Sequence, residues 1–100
     1  MNKKIDAEKA TKVMGLLARV IKLNDNAEPD IYYSFDYTGG TNGVYFSKIR
    51  RNQDEYKTLF TSYAYLDYDH LGQTLDGVEA AIASEERSQW ERRKYGGDEK

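Results

Sequence analysis

The 100-residue chain holds a single histidine, His70, set between carboxylates in Asp67-Tyr68-Asp69-His70-Leu71-Gly72. Asp at the first and third positions with Gly at the sixth matches the opening of a calcium-binding loop, where carboxylate oxygens take a hard cation. The match then breaks, because Leu71 occupies the fifth position, Thr74 the eighth and Val78 the twelfth. The segment reads as a strand-to-helix loop with solvated carboxylates, and no metal is assigned to it. Whether Asp67, Asp69 and His70 together take a transition metal stays open at this point. His70 is also the sole imidazole base for a serine nucleophile. Ser34, Ser47, Ser62, Ser84 and Ser88 all lack the strained turn that presents such a nucleophile. Cysteine is absent, which excludes thiolate chemistry, disulfides and Cys-based zinc sites. Gly39-Gly40-Thr41-Asn42-Gly43 has neither the lysine nor the following helix of a phosphate-binding loop, so it reads as a hairpin turn. The expectation is a non-enzymatic chain with no cofactor.

Tyrosine is the residue type that stands out, with nine copies. Tyr32, Tyr33, Tyr37, Tyr45, Tyr63 and Tyr65 all fall in segments of strand-like alternation. Tyrosine favours strands for packing reasons alone, and cross-strand aromatic pairs contribute about 0.2–1 kcal/mol each. It is also enriched at binding hot spots. One face of each strand must be core, so only part of the set is free to bind. The partner-binding candidates are Tyr32, Tyr45, Tyr63 and Tyr65, with Arg50 and Arg51 at a polar turn and Trp90 on a protruding helix end. Lys48, Arg50, Arg51 and Lys57 gather near the same turn and could meet an acidic ligand, although such cations are usually solvated.

These residues are positioned by five elements. Residues 6–23 form a helix with Asp6 as N-cap, Glu8 in the first turn and an apolar stripe at Ala10, Val13, Met14, Leu17, Val20 and Ile21, widened by Leu16. Lys12, Arg19 and Lys22 take its wet side. Gly15 costs about 1 kcal/mol relative to Ala, with close approach of a sheet as the expected reason. Asn24-Asp25-Asn26 ends the helix and Pro29 prevents a restart. Period-two alternation then puts Ile31, Tyr33, Phe35 and Tyr37 on one face and Tyr32, Ser34, Asp36 and Thr38 on the other. A second strand, about 44–50, alternates Val44, Phe46 and Lys48 with Tyr45, Ser47 and Ile49. A third, about 56–66, alternates Thr58, Phe60, Ser62, Ala64 and Leu66 with Leu59, Thr61, Tyr63 and Tyr65, subject to exchange by any bulge. A second helix opens near Asp76 as N-cap with Glu79 three residues on, and Leu75 and Ala80 as a staple. Val78, Ala81, Ile82, Glu85 and Gln89 trace its inner face, and its later turns dock through Trp90. The order predicts an α+β domain over residues 1–95: helix, three-stranded antiparallel meander, helix, with both helices on one sheet face. Residues 96–100 are read as a disordered tail.

Fifteen basic and seventeen acidic residues leave a formal charge of −2. Neither half has the dense basic face that phosphate neutralisation needs. Helix–three strands–helix resembles the topology of double-stranded-RNA-binding domains, which implies a lysine-rich start to the second helix for gripping phosphates. Here that stretch is Thr74-Leu75-Asp76-Gly77-Val78-Glu79, with two acids and no base, which weighs against nucleic acid. No apolar run approaches the roughly 20 residues that span a bilayer, and no signal-peptide core follows the N-terminus. The chain therefore reads as cytoplasmic, without a membrane partner. The leading expectation is a small protein-interaction module of accessory type (adaptor, inhibitor or phage-encoded modulator), acting through a Tyr-rich sheet face or edge. A double-stranded-RNA-binding-like domain is the alternative, and homodimerisation through a sheet edge is open.

Overall fold

The computed structural model describes residues 7–68 and 71–96. In chain order they form α1 (Ala7–Asp25), β1 (Ile31–Thr38), β2 (Gly43–Asn52), β3 (Glu55–Tyr65) and α2 (Leu75–Glu91), which runs on into a π-helical turn, Arg92–Gly96. The strands make one antiparallel sheet in the order β1-β2-β3. The N-cap expected at Asp6, together with Asp69, His70 and residues 97–100 of the expected tail, lies outside the described residues.

Alternation decides which sheet face is buried. Ile31, Tyr33, Val44, Phe46, Ala64 and Leu66 are all below 9 % exposed, and the core gathers most of them with Leu16, Val20 and Leu23 of α1 and Val78 and Ile82 of α2. Both helices thus cover one face. Phe46 lies at the centre, its ring stacked on Tyr33 at 5.7 Å and edge-on to Phe60 at 5.9 Å. Between β2 and β3 the register slips: Lys48 faces Phe60 but Ile49 faces Thr58, so Leu59 is the extra residue of a bulge. The slip moves Thr58 from the face of Phe60 to that of Ile49, a correction to the uninterrupted alternation expected for β3.

The burial of α1 corrects the expected stripe. Its buried residues are Leu16, Val20 and Leu23, while Met14, Leu17 and Ile21 are exposed. Lys12 and Arg19, placed on the wet side by periodicity, instead face α2. Lys12 bridges Asp76 at 2.7 Å and Glu79 at 3.2 Å. Arg19 forks onto Glu86 at 3.0 and 2.7 Å and reaches Glu79 at 3.1 Å. Arg93 bonds Asn26 further along. Lys12, Arg19 and Asn26 recur every seven residues, as do Glu79, Glu86 and Arg93, so the two helices run parallel, side by side. Parallel helices align their dipoles unfavourably, and this ladder of opposite charges offsets the repulsion. The bidentate Arg19–Glu86 contact is its strongest rung.

The ladder predicts an acid-side stability slope. Pairing with Lys12 holds the Asp76 and Glu79 carboxyls below their ordinary values of 3.8 and 4.5. A depressed carboxylate stabilises the fold above its unfolded pKa, and that contribution disappears as pH falls through the folded value. Lys12→Gln is therefore expected to flatten the decline in stability between about pH 5 and pH 2, as read by urea melts across that range. An unchanged slope would show that the bridges leave proton affinity untouched.

Loop chemistry sets the strand entries. Asn24 brackets the outer edge of β1, accepting from the Tyr33 N–H at 2.8 Å and donating to its carbonyl at 2.9 Å. Buried Gln89 donates to the Leu23 carbonyl at the end of α1. It is Gln89 that docks the later turns of α2; Trp90 is 52 % exposed with the Lys94 ammonium 4.8 Å from its ring centre. The α2 N-cap is Thr74, whose hydroxyl accepts from the Gly77 N–H, so Asp76 sits inside the first turn. In the first hairpin the left-handed residue is Asn42, at φ 53°, and not a glycine. Gly43 serves a different need: a Cβ there would lie 2.8 Å from the Tyr45 hydroxyl.

Candidate interaction surface

Opposite the helices, the sheet has an outer face that no described element covers. The same alternation that buries Tyr33 and Phe46 sends Tyr32, Tyr45, Tyr63 and Tyr65 outward. Tyr45 stands across from Tyr63 in the register and stacks on it at 6.0 Å. Tyr63 meets Tyr65 edge-on at 5.8 Å, and Tyr65 stacks on Tyr68 at 5.2 Å. Four rings therefore form a continuous ridge at the end of the sheet nearest the first hairpin. Hydrogen bonding with Tyr45 and, secondarily, partial burial push the Tyr65 hydroxyl above its ordinary pKa.

At the other end, Tyr32 meets Tyr56 edge-on at 6.3 Å. Tyr56 faces Arg51 in the register, and these three residues line a shallow groove with Pro29 and Ile31. Between the two aromatic groups lie Ser34, Ser47, Thr61, Ile49 and Thr58. Ser47 and Thr61 share a hydroxyl–hydroxyl bond at 2.8 Å. The face is thus two aromatic ends joined by a hydroxyl-rich saddle. Neither aromatic group is arranged around a nucleophile and a base.

The structure brings five of the seven sequence candidates onto this face: Tyr32, Tyr45, Tyr63, Tyr65 and Arg51. It separates the other two. Arg50 shares the side of Ile31 and pairs with Asp30 at 3.4 Å. Trp90 lies on α2, in the helical layer. The cation cluster expected at the second turn is dispersed for the same reason, since Lys48 points inward to Glu85 at 2.9 Å.

No protein-family model, curated protein or solved structure matches this chain.

Two surface residues escaped the sequence reading. Tyr56 joins the outer face only because the Leu59 bulge reverses the side of everything before it in β3. Tyr68 follows the strand, and its stacking on Tyr65 depends on the path of the loop. At the start of α2, Asp76 and Glu79 are held by Lys12, so the positions where a double-stranded-RNA-binding domain offers cations here offer carboxylates.

Proposed function

We propose that the protein is a non-catalytic interaction module, cytoplasmic and of accessory type, that binds a protein partner through the tyrosine-bearing outer face of its sheet. The supporting observation is the ridge of Tyr45, Tyr63, Tyr65 and Tyr68 on a sheet face left without a covering layer. Aromatic rings presented on a rigid strand scaffold supply large contact area at small cost in side-chain entropy. Arg51 beside Tyr32 and Tyr56 adds a cation to the second aromatic group. Among the described residues the face carries no phosphate-gripping cluster, which favours a protein over a nucleic acid as its ligand.

The test pairs capture with stability. The wild-type protein, immobilised, is expected to retain a stoichiometric protein from native-host lysate, and nuclease treatment is expected not to release it. Tyr45→Ser/Tyr63→Ser is expected to weaken that binding by about 30-fold, the scale of a lost hot spot. The same change removes one cross-strand aromatic pair, so the melting temperature is expected to fall by only about 4–8 °C. Unfolding of the variant would place these rings among the fold's supports. Capture that vanishes with nuclease would restore the nucleic-acid alternative.

A further inference from the structure

Two surfaces are left uncovered by the described elements. The apolar side of α1 around Met14 and Ile21 shows nothing of its occupant. A Cβ at neighbouring Gly15 would meet nothing within 4 Å, so the sheet does not approach there as expected. The tyrosine face says more, because its charges and rings are spaced about a centre. That centre is the row of Ser34, Ser47 and Thr61, which the register sets side by side. On β2, Arg51 lies four residues to one side of Ser47 and Gly43 four to the other. The Tyr45 ring is laid across Gly43, its hydroxyl 2.8 Å from where a Cβ would stand. On β1, Tyr32 and Asp36 lie two residues to either side of Ser34. On β3, Tyr65 and Tyr56 stand at the two ends. Arg51 and Asp36 are exposed, and neither takes part in an ion pair among the described residues. The Arg51 N–H bonds the Asp30 carbonyl, six residues before Asp36. Within one chain the two charges are therefore about 20 Å apart.

These spacings make the face complementary to itself. Consider a second copy laid face to face, related by a two-fold axis that runs across the strands at the central row. Each strand then lies antiparallel over its counterpart, an aligned packing of two sheets. Arg51 of one copy meets Gly43 and the Tyr45 ring of the other, with Asp36 of that copy on the next strand. Tyr32 meets Asp36, a phenol donor on a carboxylate, and Tyr56 meets Tyr65. Every one of these contacts is made twice. An axis along β2 would instead bring Arg51 level with Arg51 and leave Asp36 facing Tyr63. The sheet edges are blunted against the other route to self-association. Asn24 occupies the Tyr33 amide and carbonyl on β1, and the Leu59 bulge interrupts β3. We infer that two copies of this chain pack face to face through the tyrosine-bearing side of their sheets, strands antiparallel, about a two-fold axis at Ser47. The inference rests on the reading of that face as a binding surface and makes the chain its own partner.

Strand spacings give the face roughly 30 by 15 Å, nearer the size of a transient than of an obligate interface. The experiment is therefore sedimentation of the full chain from about 1 μM to about 1 mM. The mass is expected to rise from 11.5 kDa towards twice that value. Ser47→Lys sets two like charges together at the axis and is expected to weaken the dimer by about tenfold or more, with native circular dichroism. Arg51→Asp and Asp36→Arg are each expected to weaken it by about three- to tenfold, and their combination to restore it. Because the two side chains are too far apart to meet within one chain, restoration reports contact between copies. A mass of one chain at every concentration, a dimer indifferent to Ser47→Lys, or a double variant as weak as the singles would overturn the proposal. Lysate capture separates this result from the reading beneath it. A single-chain mass with a different protein retained through Tyr45 and Tyr63 overturns the self-pairing alone, whereas a single-chain mass with nothing retained overturns both.

Discussion

Glu85→Ala is expected to destabilise the protein by about 2–4 kcal/mol, far more than an ordinary helix-surface substitution. The Glu85 carboxylate, only 12 % exposed, accepts from the Lys48 ammonium at 2.9 Å and from the Tyr33 hydroxyl at 2.8 Å through the same oxygen. It therefore ties α2 to both β1 and β2 beneath the helical layer. Removing it leaves a cation and a phenol partly buried with nothing to face, and the cost of a stranded charge outweighs the modest net value of the pair itself. The cost stays below that of a wholly buried pair because the Lys48 side chain keeps 24 % of its surface in solvent. Glu85→Gln retains an acceptor for Tyr33 and is expected to fall between wild type and Ala. Lys48→Met combined with Glu85→Leu removes both charges and is expected to recover most of the loss. Urea melts of wild type, Lys48→Met, Glu85→Leu and the double variant, read as a double-mutant cycle, measure the coupling, with Glu85→Ala and Glu85→Gln melted beside them. An Ala variant within about 0.5 kcal/mol of wild type would show that water already solvates the site.

Burial, and secondarily the bond to Glu85, also raise the Tyr33 phenol pKa well above 10.0. A raised phenol pKa stabilises the fold below pH 10 and loses that contribution as pH rises past the unfolded value towards the folded one. Alkaline instability is thus a second signature of the same cluster.

How far the sequence could be read depended on the number of outcomes each pattern allows. Period two allows only two faces, and the more apolar face of β1 and β2 was also the buried one. Ile31, Tyr33, Val44 and Phe46 followed directly. The Leu59 bulge carries no residue signal comparable to a glycine or proline, so uninterrupted alternation puts Thr58 on the wrong face. On α1 the apolar residues occupy more than half of the helical wheel, and two stripes compete: Leu16-Val20-Leu23 and Met14-Leu17-Ile21. Hydrophobicity alone cannot choose between them. The choice is made by Lys12 and Arg19, whose acidic partners lie on α2 sixty or more residues away. The matching seven-residue spacing of Lys12 and Arg19 with Glu79 and Glu86 was the available signal. Trp90 misled for a related reason. Size favoured it as the docking residue, yet the Gln89 amide satisfies the Leu23 carbonyl, and a buried unmet carbonyl is costlier than an exposed ring. Strand alternation sorted the tyrosines of β1 and β2 into two sets, and it is the packing of the helices on Tyr33 and Phe46 that decides which set stays open.

Phe46→Ala is expected to cost about 3–5 kcal/mol, a large share of what a domain of this size possesses. The residue is fully buried on the central strand, between Tyr33 and Phe60 and beneath both helices. No neighbouring element can collapse into the gap without shifting a strand that is hydrogen-bonded on both sides, so most of the cavity penalty is retained. If the Ala variant is already unfolded at room temperature, Phe46→Leu keeps the measurement quantitative, with an expected loss of about 1–2 kcal/mol. The comparison with Tyr45→Ser, one residue away on the opposite face, separates the two jobs of this sheet. In the Phe46 variants partner binding is expected to fall only in proportion to the unfolded fraction, and to return on cooling or with a stabilising osmolyte. In Tyr45→Ser it is expected to weaken while the protein remains folded. A Phe46 variant that stays folded yet fails to bind would mean that the outer face is shaped by the core beneath it, and that the two faces of β2 cannot be treated as independent.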